Sequence, residues 1–451
     1  MKHTPFFTLL AILSTSLPSP ADVTLPAVFS DHMVLQRDTP QHVWGTAEAG
    51  EKITVTFDRH SATATADTEG NWLAGLPSLS ADGGKPHKLT VKGNNEIVLK
   101  DILIGDVWIG SGQSNMEWPL KNTDNAKEFI AGAKHSGIRL FHIPKVQANE
   151  PAKDVKATWK ECTPENIPNF SAVLYHFGRE LHTEVDVPMG LINSSWGGSP
   201  IEPWTITEKS SGKMYNGMIA PIVKFPVRGT IWYQGETNVI QKNGLSYGDK
   251  MKDLILGWRD AFHNKEMPFY FVQIAPWGNP RYEDGQLPAL WEAQTATLKL
   301  PNTGMAVITD LVANIGDIHP RNKHDVGNRL ARWALAKDYG KKDVIYSGPL
   351  FKAMETRGDK VQLSFAHASG GLKSRDGKPL TEFKIAGADG NFVEAEAVIN
   401  GETVVVSAGN VKDPKQVRFG WHRTANPNLT NSEGLPASPF HTDNWTGGTG
   451  E

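Results

Sequence analysis

Apolar and polar residues alternate strictly in the first part of the chain. HMVLQRDTPQHVWGTAEAGEKITVTFD keeps a period of two between Gly- and Pro-containing turns, and NWLAGLP, HKLTVKG and NEIVLKDILIG continue it. Half-buried strands read this way, so residues 22–100 are expected to form an N-terminal β-sandwich domain. From residue 101 the period changes. Short apolar runs, Ile104–Ile109, Ile138–Ile143, Pro188–Ile192, Gly229–Tyr233, Phe269–Ile274 and Met305–Thr309, predict strands. Between them the apolar spacing becomes helical. Asp249–His263 puts Leu254, Ile255, Trp258, Ala261 and Phe262 on one face, and Lys323–Tyr339 does so with Val326, Leu330, Trp333 and Ala334. Ser171–Thr183 and Leu287–Leu298 follow the same rule less strongly. Strand–helix alternation predicts a parallel sheet with helices on both faces over residues 101–345. The period of two returns in KVQLSFAHA, in EFKIAGADGNFVEAEAVINGETVVVSAG and in QVRFGWH, giving a C-terminal β-rich domain over 346–451. The irregular tail NPNLTNSEGLPASPFHTDNW is expected to pack on another domain.

Ahead of the first strand, MKHTPFFTLLAILSTSLPSPADV has the layout of a secretory signal. It carries Lys2, then an apolar run from Phe6 to Leu13, then small residues at Ser19 and Ala21, with cleavage expected after Ala21. Residues 1–21 would be this leader, and the protein would be periplasmic or secreted. The run is too short to span a bilayer. A single cysteine, Cys162, excludes an intrachain disulfide, so the exported chain would rely on its core alone. Charged residues are 21% of the 451, with a formal net charge of −3, which gives no reason to expect nucleic acid or an anionic membrane as partner. Oligomeric state is not legible.

In an open α/β sheet, ligands bind beyond the carboxyl ends of the strands. There stand Ser114 in GDVWIGSGQSNMEWPL, Gly197 and Gly198 in NSSWGGSP, Gln234, Glu236 and Asn238 in QGETN, and Asp317 and His319 after Asp310. GSGQSN lacks the last glycine of a dinucleotide loop and has no following Gly-Lys-Ser/Thr, which argues against a nucleotide site; a plain turn would also account for it. As a nucleophile, Ser114 needs a base within hydrogen-bond reach, and His319 is the candidate. Asp317 is favoured to orient the histidine, with Asp310 or a backbone carbonyl as alternatives. Backbone N–H groups at Ser114 and at Gly197 or Gly198, with Gln234 or Asn238, could hold an oxyanion. Glu236 with Glu202 or Asp317 would suit glycoside hydrolysis but leaves Ser114 and His319 unexplained. No metal-ligand spacing is present. Of the 14 tryptophans, Trp118, Trp196, Trp204 and Trp232 lie beside these motifs, and Trp204 is the preferred sugar-stacking face.

These motifs resemble the SGNH-type hydrolases and, more closely, the sialate O-acetylesterase family. The likeness extends over FSDHMVLQRDTP, GDVWIGSGQSNMEWPL, MGLINSSWGGSPIEPW, MYNGMIAPI, RGTIWYQGETN, DIHPRNKHDVGNRLA and GLPASPFHTDNW. It implies a flavodoxin-like SGNH hydrolase domain, flanked by the two β-rich domains, that removes O-acetyl groups from carbohydrates without a cofactor or metal. Ser114 maps onto the nucleophile and His319 onto the base. Asp317 is the favoured triad acid, with Asp310 or a backbone carbonyl as alternatives; Gly198, with Gly197 as the alternative, and Gln234 would form the oxyanion hole, and Gln113, Asn115, Trp204, Glu236 and Asn238 would contact substrate. The general pattern has an aspartate three residues before the histidine, where this chain has Gly316, and its third block has Gly-x-Asn, where this chain has QGETN. The substrate would be an O-acetylated glycan, a sialate ester by the family's name, with acetylxylan and other glycans as alternatives. A non-catalytic carbohydrate-binding protein on the same scaffold is the competing class.

Overall fold

The computed structural model describes residues 22–207 and 210–444; the expected leader, 1–21, lies outside them. Seven strands build the central sheet: β1 (Glu96–Gly112), β2 (His135–His142), β3 (Trp159–Cys162), β4 (Met189–Ser195), β5 (Gly229–Tyr233), β6 (Phe269–Gln273) and β7 (Thr303–Val307). Their spatial order is β7-β6-β5-β1-β4-β2-β3. Every neighbouring pair is parallel except β2–β3, so the sheet is mixed. The six expected strands are all present. The antiparallel edge strand β3 escaped notice because WKEC is short and alternates weakly.

β4, β5 and β6 are buried along their whole length, as strands covered on both faces must be. Gly110 of β1 lets helix α2 (Ala172–Val185) approach: a Cβ there would lie 2.8 Å from Leu174 Cδ2. Trp108, on the same face, meets Phe177 of α2 edge-on at 4.9 Å. Ile231 pairs with Gly110 and Trp232 with Ser111, so Trp232 projects to the other face. There its ring meets Trp204 and Trp258, the latter on helix α4 (Tyr247–Ala261), which helix α5 (Gln286–Thr297) follows in the chain. The carboxyl ends of β4, β1 and β5 sit side by side. The chain leaves β1 toward β2 and β4 on one side and then builds β5, β6 and β7 on the other, which opens a crevice at the end of β1.

The N-terminal strands are one-sided. Lys52–Phe57 buries every second residue, against His60–Thr65 and His87–Lys92. The first part of β1 closes this sheet by pairing with His87–Lys92, and the second part enters the parallel sheet. The boundary expected at 100/101 therefore falls inside one 17-residue strand. The apolar core is likewise continuous from Val23 to Leu335 and also takes in Ala425. The C-terminal region has a core of its own, with Val361, Leu363, Val404 and Val406 facing Phe383, Ile385, Val417 and Phe419. The tail returns to the central sheet through Ser438, whose hydroxyl exchanges hydrogen bonds with the Gln273 amide on β6 at 2.9 and 3.2 Å.

Candidate active site

Gly112 ends β1 at φ +133°, a conformation that favours glycine; a Cβ there would lie 2.2 Å from the Tyr233 carbonyl oxygen. The chain then turns into the single-turn helix α1 (Ser114–Glu117). Loops from both neighbouring strands are stitched to this elbow. Gln113 N–H donates to Tyr233 O at 3.0 Å, and Trp196 N–H donates to Gly112 O at 3.0 Å. Ser114 is thus held, half-buried, at the head of the crevice.

His319 comes from the far edge of the sheet. After β7 the chain crosses back over the strand ends before entering helix α6 (Lys323–Lys337). Asn322 fixes that entry, its Oδ1 accepting the Asp325 N–H at 3.0 Å. The loop is backed by Trp277, whose indole N–H donates to Gly316 O at 3.1 Å. His319 Nε2 lies 2.9 Å from Ser114 Oγ. Its ring stacks on Trp118, centroids 4.5 Å apart. Burial pushes this imidazole below its ordinary value, the Lys323 ammonium acts in the same sense, and Asp317 opposes them.

The two acidic candidates behave differently. Asp317 Oδ1 accepts the His319 backbone N–H at 2.9 Å but stands 3.8 Å from Nδ1, beyond hydrogen-bond range. Asp310 is gripped by Arg329 of α6 through two bonds of 2.6 Å each and does not meet His319. Gly197 and Gly198 follow β4, and Gly197 passes beside Ser114. A Cβ on Gly197 would lie 3.4 Å from Ser114 Cβ. Its N–H is taken by the Glu117 carboxylate at 2.6 Å, while Gly198, at φ +77° and exposed, keeps its N–H without an acceptor among the described residues.

The residues expected to touch substrate require correction. Gln113, Asn115, Trp204, Glu236 and Asn238 are each no more than 3% exposed, so they lie beneath the crevice rather than on its surface. Trp204 fails as a sugar platform because its ring belongs to the Trp204–Trp232–Trp258 cluster, with its N–H bound to Ser199 Oγ at 2.9 Å. Gln234, expected at the oxyanion, is wholly enclosed. Its Nε2 lies 2.7 Å from Asn238 Oδ1, 3.1 Å from Gln113 Oε1 and 3.2 Å from Ser199 O, and its Oε1 accepts from Tyr247 at 2.7 Å. A donor with every hydrogen so engaged is a brace for the loops, not a free oxyanion donor. Asn238 continues the brace to Glu202 and to Ile201 N–H. Glu202 in turn pairs with Lys250 at 2.6 Å, whereas Glu236 accepts from Asn115 at 2.5 Å, so the two carboxylates are each held by other partners.

Three participants escaped the sequence. Glu117 ties Gly197 to α1 and pairs with Lys145 at 2.5 Å. Lys323 is fully buried beneath His319 and donates to Asn115 Oδ1. Trp118 was noticed only as a sugar candidate. The legible signal for Lys323 was its place at the start of a helix, where the dipole disfavours a cation.

One cluster of metal-type ligands occurs among the described residues: His32, Asp101 and Glu161. Arg139 occupies it, donating to Asp101 at 2.8 Å and approaching Glu161 at 3.5 Å, so its carboxylates already hold a cation. No described helix is long and apolar enough to cross a membrane.

Residues 104–336 match the family described as carbohydrate esterase, sialic acid-specific acetylesterase. The chain is 31% identical over 397 residues to the sialate O-acetylesterase of Homo sapiens, covering 75% of each. To that of Rattus norvegicus it is 30% identical over 444 residues, covering 79% of this chain and 81% of that one. Among solved structures it is similar to a carbohydrate acetylesterase from Xanthomonas citri, with 40% identity and a TM-score of 0.90, over 94% of this chain and all of that one. The matched segment holds both the elbow that carries Ser114 and the loop that carries His319, and the chain belongs to the sialic acid-specific acetylesterase family of carbohydrate esterases.

Proposed function

We propose that this chain is an exported serine esterase that hydrolyses O-acetyl esters on carbohydrates, with Ser114 as nucleophile and His319 as general base on a flavodoxin-like SGNH hydrolase domain. The 2.9 Å approach of His319 Nε2 to Ser114 Oγ carries this reading. With Nδ1 protonated, Nε2 takes the Ser114 proton as Oγ bonds to the acetyl carbonyl carbon. The carbonyl oxygen becomes an oxyanion, held by the backbone N–H groups of Ser114 and Gly198. Collapse breaks the bond to the sugar oxygen, which leaves with the proton from Nε2. Water then attacks the acetyl-serine, passing its proton to Nε2, and a second collapse releases acetate and restores the serine. Ser114 and His319 act as a dyad, and Asp317 orients the loop through the His319 backbone.

Sialate esters are the first substrates to assay, because the relatives in human and rat are sialate O-acetylesterases. Acetylxylan and other acetylated glycans follow. Export is supported by the Lys2 and Phe6–Leu13 pattern. The continuous core supports taking residues 22–345 as one unit and the C-terminal β-region as a second.

Acetate release from an aryl acetate and from a panel of O-acetylated glycans tests the reading. Ser114→Ala should abolish both, by about a thousandfold or more. Activity that survives in Ser114→Ala would remove the serine from the mechanism. A folded wild type that binds glycans but releases no acetate from any of them would favour the binding-protein class.

A further inference from the structure

Beneath the reacting pair lies a buried polar chain that the acyl-transfer steps above do not use. Lys323, the first residue of α6, is fully buried and donates from Nζ to Asn115 Oδ1. Asn115, beside the nucleophile and equally buried, donates from Nδ2 to Glu236 Oε1 at 2.5 Å and to Ile318 O at 3.0 Å. One carboxamide therefore joins a buried cation, a buried carboxylate and the peptide just ahead of the catalytic histidine. Glu236 opens helix α3 (Glu236–Ile240), so the chain links α1, α3, α6 and the His319 loop.

Burying a cation and a carboxylate is costly, and a position that only filled space would hold apolar side chains at lower cost. Burial drives both groups toward their neutral forms, Lys323 down to about 7 and Glu236 upward. Around the ammonium stand Asn115, Glu236 and Asp317, with the rings of Tyr233 at 5.3 Å and Trp118 at 5.9 Å. Tyr282 faces Glu236. Around the imidazole stand Ser114, Trp118, Asp317 and Lys323.

We propose that Lys323 is a positioning residue for acetyl transfer: through the Asn115 carboxamide it ties the nucleophile helix to Ile318 and so sets His319 against Ser114. The proposal rests on the serine-esterase reading. In that chemistry a base without a bonded carboxylate on Nδ1 needs another element to fix its ring, and the Asn115–Ile318 bond supplies one. The ammonium disfavours a second positive charge nearby, which keeps His319 able to accept a proton in more acidic media.

The test compares kcat, KM and the acid limb of the kcat/KM–pH profile in wild type, Lys323→Met and Lys323→Met/Glu236→Gln. The double variant leaves no buried charge unpaired and serves where the single one fails to fold; circular dichroism identifies folded protein. Lys323→Met, or the double variant, should lower kcat about tenfold or more with KM within about twofold. The acid limb should move to higher pH by about half a unit or more, because the repelling charge is gone. An unmoved acid limb in the folded variants, or a rise in KM with kcat unchanged, would overturn the proposal. Ser114→Ala is assayed in parallel: if it stays active, the serine-esterase reading itself has failed, whatever the Lys323 variants do.

Discussion

Asp317 meets His319 through the main chain and not through the ring: its Oδ1 accepts the backbone N–H at 2.9 Å and stands 3.8 Å from Nδ1. A buried triad aspartate that bonds the imidazole contributes about 10⁴ in kcat. Asp317, half-exposed and bonded only to the backbone, should contribute far less. Asp317→Asn keeps an acceptor for the His319 N–H and should lower kcat by about tenfold or less. Asp317→Ala loses the acceptor and should cost more than Asp317→Asn. Steady-state kinetics of the two variants decide the matter, and a loss near 10⁴ in Asp317→Asn would show that the ring bond forms during turnover.

The pH profile follows from the same surroundings. His319 must be neutral to accept the Ser114 proton, and burial and Lys323 hold its value below the usual imidazole figure of about 6.5. Activity should therefore rise with pH through a value below that figure and be level at neutrality. Asp317 favours the imidazolium, so Asp317→Asn should move the acid limb further toward low pH. An acid limb at or above about 7 in the wild type would contradict this account.

Glu117 holds the glycine loop. Its Oε2 accepts the Gly197 N–H at 2.6 Å and its Oε1 takes Lys145. Glu117→Gln retains an oxygen for Gly197 and should stay within about threefold of wild type, since the lost surface pair is worth little. Glu117→Ala frees Gly197 and with it the neighbouring Gly198 N–H, and kcat should fall about tenfold or more. Equal kinetics for the two variants would mean the loop is fixed by other contacts.

The two tryptophans should separate by phenotype. Trp204 is completely buried, so Trp204→Ala should destabilise the fold by about 3–5 kcal/mol in chemical denaturation. Trp204→Phe, which fills most of the space, should leave KM within about twofold. Trp118 is half-buried and supports the imidazole face. Trp118→Ala should lower kcat about tenfold or more with a small change in stability. A large rise in KM for Trp204→Phe would restore that ring to the sugar.

Much of the fold was legible because strand and helix periods report directly on burial. Gly229–Tyr233 was found to the residue, and the helix expected at Lys323–Tyr339 ends two residues earlier, at Lys337. The edge strand Trp159–Cys162 was not legible, since a strand bonded on one side carries little pattern. In the site, the meeting of Ser114 with His319 was legible because reactive residues that follow strands share one sheet edge. The residues around them were assigned to substrate because the sequence does not say how deep a polar side chain sits. Gln113, Asn115, Gln234 and Asn238 follow strands as a ligand contact would, yet Gln113, Gln234 and Asn238 bond one another in the interior and Asn115 bonds Glu236, Ile318 and Lys323 there. Lys323 was not singled out in the sequence, and only its position against the helix dipole hinted at a special role.

The 17-residue strand that serves both the N-terminal sheet and the parallel sheet also restricts how this enzyme can be cut and recombined. A chain started at residue 101 would discard the His87–Lys92 and Lys52–Phe57 strands, and with them the partners of Leu103 and Ile104 in the strand Val34–Gln36. It would expose the apolar surface that those strands cover and leave an unpaired edge on the rod that carries Ser114. Such a fragment should aggregate on expression, whereas one begun at residue 22 should not. For anyone grafting this catalytic unit onto another scaffold, the portable module begins with the N-terminal strands, although the rhythm of the sequence changes some eighty residues later.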